Sequence, residues 1–483
     1  MYTNNSRAPA LGAIAMAQFM IALDTAVVNV ALPEIRTALG FAAVDLAWVV
    51  HIYALTFGGF LLLGGRVGDL FGRRRVFVGG LLAFGLASLA GGVAQESWQL
   101  VAARAAQGVA AAAVAPATLA MLSVLFPAGR PRVRAFGVWS AANAAGGALG
   151  VLAGGVLTEY ADWRWVMLVN LPTIAVVLGC AALGIPADTR GAVRDRLDVV
   201  GATLATGGLG LLTFGVVNTD RQGWGSGVTW STLAVAALLL SAFVAVEARY
   251  ADAPLVRLTL LRSRWIAGAD LFVLFAAAGQ FAAFYFASLY MQQALGMSAA
   301  ATGLAFIPFT LGVIGGTVVA TRFGTTYSPR TLLIPGAVVA AAGLGWFALI
   351  SPDGGFVADV LGPSLVTSIG LGLCLAPVAS AATIGVPVRD AGMASGLLNS
   401  ARQLGGAIGL AALATLAAGR IGTATTPEAL TGGYAFGFAI AAGLLFTAAL
   451  VATFVLPRDR SGGRADEDGR STADAGDDQR VGL

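Results

Sequence analysis

Charged residues inside long apolar segments are the residues of this sequence best suited to chemistry. Asp24 interrupts the apolar segment that begins at Leu11, and Arg104 lies about six residues into the segment that begins at Trp98. At about 1.5 Å per residue, both side chains come to lie roughly 10 Å from the same membrane face. Because a charge at membrane depth costs a few kcal/mol, both residues are functional candidates.

An Asp beside an Arg in a partly hydrated cavity can alternate between a charged pair and a protonated acid. Coupling to a proton gradient requires that alternation, so Asp24 and Arg104 are the predicted proton-coupling pair. A fixed ion pair that only holds two helices together is the alternative. Asp270, Arg402 and Glu34 form a secondary set of charged candidates. Snorkelling to the interface is the favoured interpretation of Asp270 and Arg402, and an interfacial position that of Glu34.

The remaining composition excludes several kinds of chemistry. All 29 basic residues are Arg, and without a Lys the chain can form neither a P-loop nor a Schiff base. His51, Cys180 and Cys374 show no metal-ligand spacing, so we expect no metal, no cofactor and no enzymatic activity. His51 is interpreted as a polar residue of an outer cavity, with a gating role as the alternative. The Arg residues lie in short loops between apolar segments, which indicates a role in topology instead of nucleic-acid or nucleotide binding.

The segments that must hold these charges are membrane helices. Of 483 residues, 57% are hydrophobic and 11% are charged, which exceeds the apolar content of an ordinary globular core. Stretches long enough to cross a bilayer recur fourteen times. The predicted spans are approximately 11–32, 48–67, 76–93, 98–122, 135–157, 165–185, 199–217, 230–246, 266–291, 301–320, 332–350, 361–384, 394–418 and 434–456.

The distribution of Arg predicts the orientation. With the N-terminus in the cytoplasm, sixteen loop Arg residues lie inside, and the outer loops receive only Arg36, Arg164, Arg221 and Arg420. Both termini are therefore predicted to be cytoplasmic in a multi-pass protein of the bacterial inner (plasma) membrane. The polar residues 458–483 are predicted to form a disordered cytoplasmic tail.

Several motifs carry a family resemblance. The segment from Gly65 to Arg75 between spans two and three combines spaced glycines, an acid and an Arg cluster, and it resembles the cytoplasmic loop signature of the major facilitator superfamily. Leu23 to Pro33, Arg104 to Gly108, Trp163 to Pro172 and Arg402 to Gly406 are similar to motifs of its fourteen-span drug/proton antiporter family. The resemblance covers the chain from the first span to the last.

This resemblance assigns roles to two sets of residues. It implies a conformational latch between the two halves at Gly65, Asp69, Gly72, Arg73 and Arg74. It also implies that span five carries an antiporter signature, along whose small residues the two halves slide. That helix-packing face comprises Gly146, Gly150, Gly154 and Gly155. Val151 occupies the position of the family's Pro, which removes an expected helix kink.

The implied fold class is an all-α membrane protein with the major facilitator fold, in which two six-helix bundles are joined by two extra helices. The corresponding regions are a cytoplasmic N-terminus at 1–10, bundles at 11–190 and 263–457, and the extra helices at 191–262. Between the bundles we expect a mostly apolar cavity. Its predicted lining includes Asn29, Asn143, Gln280, Phe284 and Tyr285.

The predicted function is proton-coupled efflux of drugs or other small amphipathic compounds by alternating access. Its partners are the cargo, protons and the bilayer, and the chain is expected to act as a monomer. A proton-independent facilitator or importer on the same fold is one alternative, and a dedicated exporter of a self-made antibiotic or metabolite is another. A receptor or lipid-active enzyme would need a binding domain or catalytic cluster in its loops, and no loop carries one.

Overall fold

Long helices make up nearly all of the chain. The computed structural model describes residues 4–41, 45–46, 48–127, 129–188, 198–249, 254–422 and 426–458, and within these ranges it contains helices and no strands. The helices are α1 Asn4–Leu39, α2 Trp48–Phe71, α3 Arg73–Gly92, α4 Ser97–Leu125, α5 Arg130–Tyr160, α6 Arg164–Leu168, α7 Asn170–Gly184, α8 Val199–Val217, α9 Thr219–Gln222, α10 Gly227–Arg249, α11 Arg264–Leu289, α12 Ala299–Ala305, α13 Ile307–Phe323, α14 Pro329–Phe347, α15 Gly362–Ala381, α16 Ala391–Ile421 and α17 Pro427–Phe454. The predicted tail lies almost wholly outside the described residues.

Fourteen helical segments in the described ranges are long and apolar enough to cross a membrane, which confirms the predicted number of spans. Helices α6 and α7 together form one span, and so do α12 and α13. The short helix α9 lies in the connection between α8 and α10. Since the number of spans is even, α1 begins and α17 ends at the same face, which we call the terminal face.

Prolines explain the interruptions within the two divided spans. Pro172 and Pro308 each lie near the start of the second segment. A proline cannot donate to the carbonyl four residues before it, and its ring crowds that carbonyl. The breaks at Val169 and Phe306 fall between each proline and that carbonyl.

The spans pack as two groups. Helices α1 to α7 pack mainly against one another, and α11 to α17 do the same. Two seams join the groups: α16 packs against α2 and α4 on one side, and α5 packs against α13 and α15 on the other. Helices α8 and α10 pack as a pair, and α8 also contacts both α2 and α16. The additional pair is thus attached to both groups beside the α2–α16 seam.

Candidate functional site

A fully buried polar network lies inside the first group of helices. Asp24 on α1 and Arg104 on α4 are 0% and 1% exposed, and Arg104 Nη1 donates to Asp24 Oδ2 over 2.6 Å. Sequence reasoning placed these residues at one depth, and the structure joins them as an ion pair. A buried pair persists only when further hydrogen bonds satisfy both charges, so the surrounding groups matter.

Two amides complete the coordination of the Asp24 carboxylate. Asn170 Nδ2 on α7 donates to Asp24 Oδ1 over 2.8 Å, and Gln107 Nε2 on α4 donates to the same oxygen over 3.2 Å. Gln107 Nε2 also donates to Ser88 Oγ on α3. The described hydrogen-bond partners of this carboxylate are Arg104, Gln107 and Asn170, and each donates to it, as a charged carboxylate requires.

Helix α2 supplies the contacts on the other side of Arg104. Arg104 Nε donates to the carbonyl of Val49, and the guanidinium carbon lies 4.3 Å from the centroid of the Tyr53 ring. A cation above an aromatic face is stabilised by about 1–2 kcal/mol when it is desolvated. The network therefore connects five helices, α1, α2, α3, α4 and α7, around one ion pair.

A second polar cluster bridges the two groups of helices at the terminal face. Asp69 near the end of α2 accepts hydrogen bonds from the backbone amides of Gly392 and Met393 on α16, each over 3.0 Å. These amides lie in the first turn of α16, where they have no partner within the helix. A carboxylate there also interacts favourably with the helix dipole. Arg73 binds Asp69 over 2.8 Å and donates to the carbonyl of Val388.

Glycines allow α2 and α16 to approach closely at this cluster. A Cβ atom on Gly65 would collide with the carbonyl oxygen of Gly392, and one on Gly392 with the carbonyl oxygen of Gly65. Gly72 has a φ angle of 99°, which favours glycine, and it forms the turn between α2 and α3.

The backbone amide of Arg74 binds Asp188, which also accepts from the amide of Arg75. Asp188 thereby satisfies two amides at the start of α3. These contacts connect the end of the first group to the turn that follows α2.

The glycines of α5 pack within the first group instead of along the boundary between the groups. Cβ atoms on Gly146, Gly150 and Gly154 would each meet α1, at the backbone of Phe19, Leu23 and Val27 respectively, whereas Gly155 faces open space. Their regular spacing indicated a close-packed face, but spacing does not identify the partner helix. Other positions of α5 contact the second group, among them Val133 against Gly324, Gly137 against Thr321 and Val151 against Gly303.

A narrow cavity of about 50 Å³ lies between the two groups. Leu119 and Trp139 line it from the first group, and the remaining lining comes from α11, α15 and α16. Its polar lining residues are Gln280, Asn399 and Arg402. Drug-sized ligands occupy pockets of roughly 300–1,000 Å³, so the cavity must widen to hold such a molecule.

Only Gln280 of the five predicted lining residues lies at this cavity. Asn29 is exposed on α1 and donates to its own helix at Thr25, while Asn143 accepts from Gln18 and so ties α5 to α1. Phe284 packs against Phe306 and Phe309 inside the second group, and Tyr285 is 42% exposed. Residue type alone did not indicate which side of each helix faces the boundary.

The secondary charged candidates do not share one environment. Asp270 is 8% exposed, and neither of its carboxylate oxygens has a hydrogen-bond partner among the described residues. Arg402 lines the central cavity, so the snorkelling interpretation of both residues is wrong. Glu34 is exposed near the end of α1, and His51 lies edge-on to the Trp48 ring at the start of α2.

Five side chains that contribute to these clusters were not predicted as site residues: Tyr53, Ser88, Gln107, Asn170 and Asp188. Ser88 gives no sequence signal, because a serine in an apolar helix most often bonds to its own backbone. Asn170 belongs to a motif that was noted, but its contact with Asp24 depends on how α7 packs. Asp188 lies in a loop, where an acid is usually solvated. In the described part of the chain, no group of three or more His, Cys, Asp or Glu side chains is placed to hold a metal ion.

Two packed groups of six apolar spans each, together with an additional pair of spans, enclose buried charges and a cavity between the groups, and in the described part of the chain they define a membrane transporter. Residues 14–410 match the model of the Major Facilitator Superfamily, and the chain belongs to that family. It is 44% identical to the cephamycin export protein CmcT of Amycolatopsis lactamdurans over 91% of this chain and 90% of that protein. It is 39% identical to the puromycin resistance protein pur8 of Streptomyces alboniger over 95% and 93% of the two chains.

A solved structure supports the same fold. The human organic anion transporter MFSD10 superposes with a TM-score of 0.67 and covers 92% of this chain and 99% of its own. The two sequences are 16% identical, so this similarity concerns the fold alone.

Proposed function

We propose that the protein exports small amphipathic compounds of the antibiotic class across the bacterial plasma membrane, in exchange for protons, by alternating access. The names of two relatives, one for cephamycin export and one for puromycin resistance, support the direction of transport and the kind of cargo. The observation that carries the proton coupling is the Asp24 carboxylate, which is fully buried, paired with Arg104 and surrounded by donors.

The terminal face is the cytoplasmic face in this proposal. The Arg cluster at Arg73 and the basic start of α5 at Arg130 both lie at that face, as the positive-inside rule requires. The contacts of Asp69 with α16 then close the cytoplasmic side. In this proposal the structure corresponds to a state from which cargo cannot return to the cytoplasm. The proposed functional unit is the monomer.

Helix α2 connects proton binding to this closure. Its first turns touch Arg104 through Val49 and Tyr53, and Asp69 lies twenty residues after Val49, about 30 Å along the helix. A proton on Asp24 would remove the charge that holds Arg104 and would rearrange the helices around it. Because α2 contacts both clusters, such a rearrangement can bias the latch at its other end.

Helix α1 offers a second connection, because it holds both Asp24 and the surface packed against the glycines of α5. Other residues of α5, among them Gly137 and Val151, contact the second group. Movement of α1 is thereby transmitted to the boundary. Residues 11–190 and 263–457 would move as the two rocking bodies, with 191–262 as the additional helical region.

Proteoliposomes with an imposed pH difference test the proposal. In the wild-type protein we expect puromycin transport to be driven by the proton gradient and to be accompanied by proton counterflow. Asp24→Asn should abolish both the driven transport and the proton counterflow. Asp162→Asn is the matched control, since the Asp162 side chain is 46% exposed and its described contacts are with Arg164, whose backbone amide donates to it over 2.8 Å and whose guanidinium lies at 3.5 Å.

Two results would decide between this proposal and its alternatives. If folded Asp24→Asn protein still transported cargo with the same dependence on the pH difference, Asp24 would not be the coupling residue, and if wild-type transport were indifferent to the pH difference, a facilitator would be favoured. Susceptibility tests in a pump-deficient host, with cephamycin, puromycin and unrelated drugs, separate a dedicated exporter from a multidrug exporter. Protection against one compound alone indicates the dedicated exporter.

A further inference from the structure

We propose that Arg402 binds an anionic group of the cargo, a carboxylate, inside the central cavity. This inference rests on the proposed export function, because it specifies which amphipathic compounds the cavity accepts. It narrows them to molecules with an apolar body and an acidic group at one end.

The first argument is that Arg402 is a charged residue without a partner. Among the described residues, Arg402 forms no ion pair and no hydrogen bond, although it lines a mostly apolar cavity. Its neighbours in that lining include Trp139, Phe272 and Leu371. An unpaired charge in such a place is costly, and the cost is recovered when an anion binds. By contrast, the Arg104 charge is already satisfied by Asp24.

The second argument concerns the nearby acid, Asp270. Helices α11 and α16 run side by side, and the close approaches of Leu274 to Gly405 and of Ala278 to Gly409 set their register. In this register Asp270 is level with Ala401, so its carboxylate lies at nearly the depth of Arg402. The two side chains nevertheless form no ion pair, and both Asp270 oxygens are enclosed away from the surface.

The third argument is the chemistry of the lining. None of the described residues that line the cavity is acidic, and Arg402 is the one charged residue among them. A cationic cargo would meet repulsion there without any compensating carboxylate. A guanidinium presents parallel N–H groups that match the two oxygens of a carboxylate, which makes this ligand the best fit.

The position of Gln280 suggests how the rest of the molecule lies. By the same register, Gln280 is nine residues beyond the level of Arg402, or about 13 Å along α11. The apolar lining occupies the distance between the two polar groups. A cargo would therefore place its acid at Arg402, its apolar body against Trp139 and Phe272, and a hydrogen-bonding group near Gln280.

A matched pair of fluorescent probes tests the inference. Dansyl-phenylalanine carries a carboxylate, and its methyl ester has the same apolar body without the charge. Binding of each probe to the full-length protein in lipid nanodiscs is measured by the dansyl emission. We expect the wild-type protein to bind the acid at least about tenfold more tightly than the ester, since a charge-assisted hydrogen bond supplies that difference.

Variants of α16 assign the preference to one side chain. Arg402→Gln should weaken binding of the acid and leave binding of the ester unchanged, so that the two affinities differ by no more than about twofold. Arg402→Lys keeps the charge and should retain most of the preference, which also shows that the site tolerates substitution. Arg420→Gln removes an exposed Arg from the same helix and should behave as the wild type.

Three results would overturn the inference: equal binding of acid and ester by the wild-type protein, binding of neither probe, or an unchanged preference in Arg402→Gln. Drug-tolerance tests in a pump-deficient host report the export function separately. If the protein confers drug tolerance but binds the acid and the ester equally, the export function stands and the proposed binding of a carboxylate by Arg402 is rejected. An Arg402-dependent preference for the acid without export supports the binding site and rejects the proposed function.

Discussion

The ion pair between Asp24 and Arg104 satisfies two buried charges with each other and with neighbouring dipoles. Because both residues are enclosed, removing one partner leaves an uncompensated charge inside the first group of helices. This arrangement combines a structural role with the proposed proton-binding role, and the two can be measured separately.

Single substitutions of this pair should be more damaging than the double substitution. We expect Asp24→Asn or Arg104→Gln alone to lower the free energy of unfolding by about 3–5 kcal/mol, and the double variant to recover part of that loss. The exposed pair Asp162 and Arg164 is the control, and its coupling energy should be below about 1 kcal/mol. Thermal unfolding in detergent measures both cycles. Additive effects at Asp24 and Arg104 would contradict the proposed coupling.

Asp270 presents the opposite situation, because its buried carboxylate has no described partner. Asp270→Leu should therefore raise the free energy of unfolding by about 1–3 kcal/mol, the cost of an unsatisfied buried polar group. The midpoint of thermal unfolding should rise accordingly. Ala269→Leu, at a fully buried neighbouring position, is the control and should lower the midpoint by overpacking. A lower midpoint for Asp270→Leu would show that the carboxylate stabilises the fold.

The glycines determine how closely neighbouring helices approach, and their effects depend on which helix each one faces. Gly65 and Gly392 face each other across the seam between α2 and α16, whereas Gly68, one turn along α2 from Gly65, has no atom within 4 Å of an added Cβ. The two positions on α2 therefore provide a matched test of the closure at the terminal face.

Gly65→Val should separate α2 from α16 and weaken the contacts of Asp69 with the start of α16. We expect a cysteine introduced at Ser395, which is fully buried one turn after Gly392, to react faster with a water-soluble maleimide in this variant than in an otherwise wild-type background. Gly68→Val should leave the labelling rate unchanged. Equal rates in all three proteins would mean that the close approach at Gly65 does not keep the two halves together.

The α5 glycines allow an analogous comparison within the first group. Gly150→Leu should lower the free energy of unfolding by several kcal/mol, because its added atoms collide with the backbone of Leu23 on α1. Gly147→Leu, at a position with no atom within 4 Å of an added Cβ, should have an effect below about 0.5 kcal/mol. Thermal unfolding of the two variants under one set of conditions measures the difference.

The sequence was sufficient to predict the spans, the ion pair and the segment that contacts α16, for identifiable reasons. A carboxylate such as Asp24 is conspicuous in an apolar segment, and the depth of Arg104 follows from helix geometry alone. The partners of a residue cannot be obtained in this way. Ser88 and Asn170 become part of the network only because α3 and α7 pack beside α1 and α4. For the same reason, the spacing of the α5 glycines indicated a close-packed face but not that Gly150 packs against α1.

Considered as a whole, the transporter should respond to membrane potential according to the charge of its cargo. If a cargo monoanion leaves as one proton enters, each cycle moves two elementary charges, compared with one for a neutral cargo. At 100 mV these correspond to about 4.6 and 2.3 kcal/mol. Proteoliposomes with potassium and valinomycin set the potential, and transport of dansyl-phenylalanine should depend on it about twice as steeply as transport of its methyl ester. Equal slopes would contradict export of the charged form.

The attachment of α8 to both α2 and α16 makes the two seams of the molecule unequal. At Gly58, side chains of α8 and α16 approach α2 together, through Thr213 and Gln403. The α2–α16 side is thus covered by the additional helices. The α5–α13 side carries a groove of about 620 Å³, whose lining includes Arg130, Arg134 and Arg322. If the terminal face is cytoplasmic and the cargo is acidic, as proposed above, compounds dissolved in the cytoplasmic leaflet would reach the cavity laterally between α5 and α13, where their acidic ends would meet these arginines first.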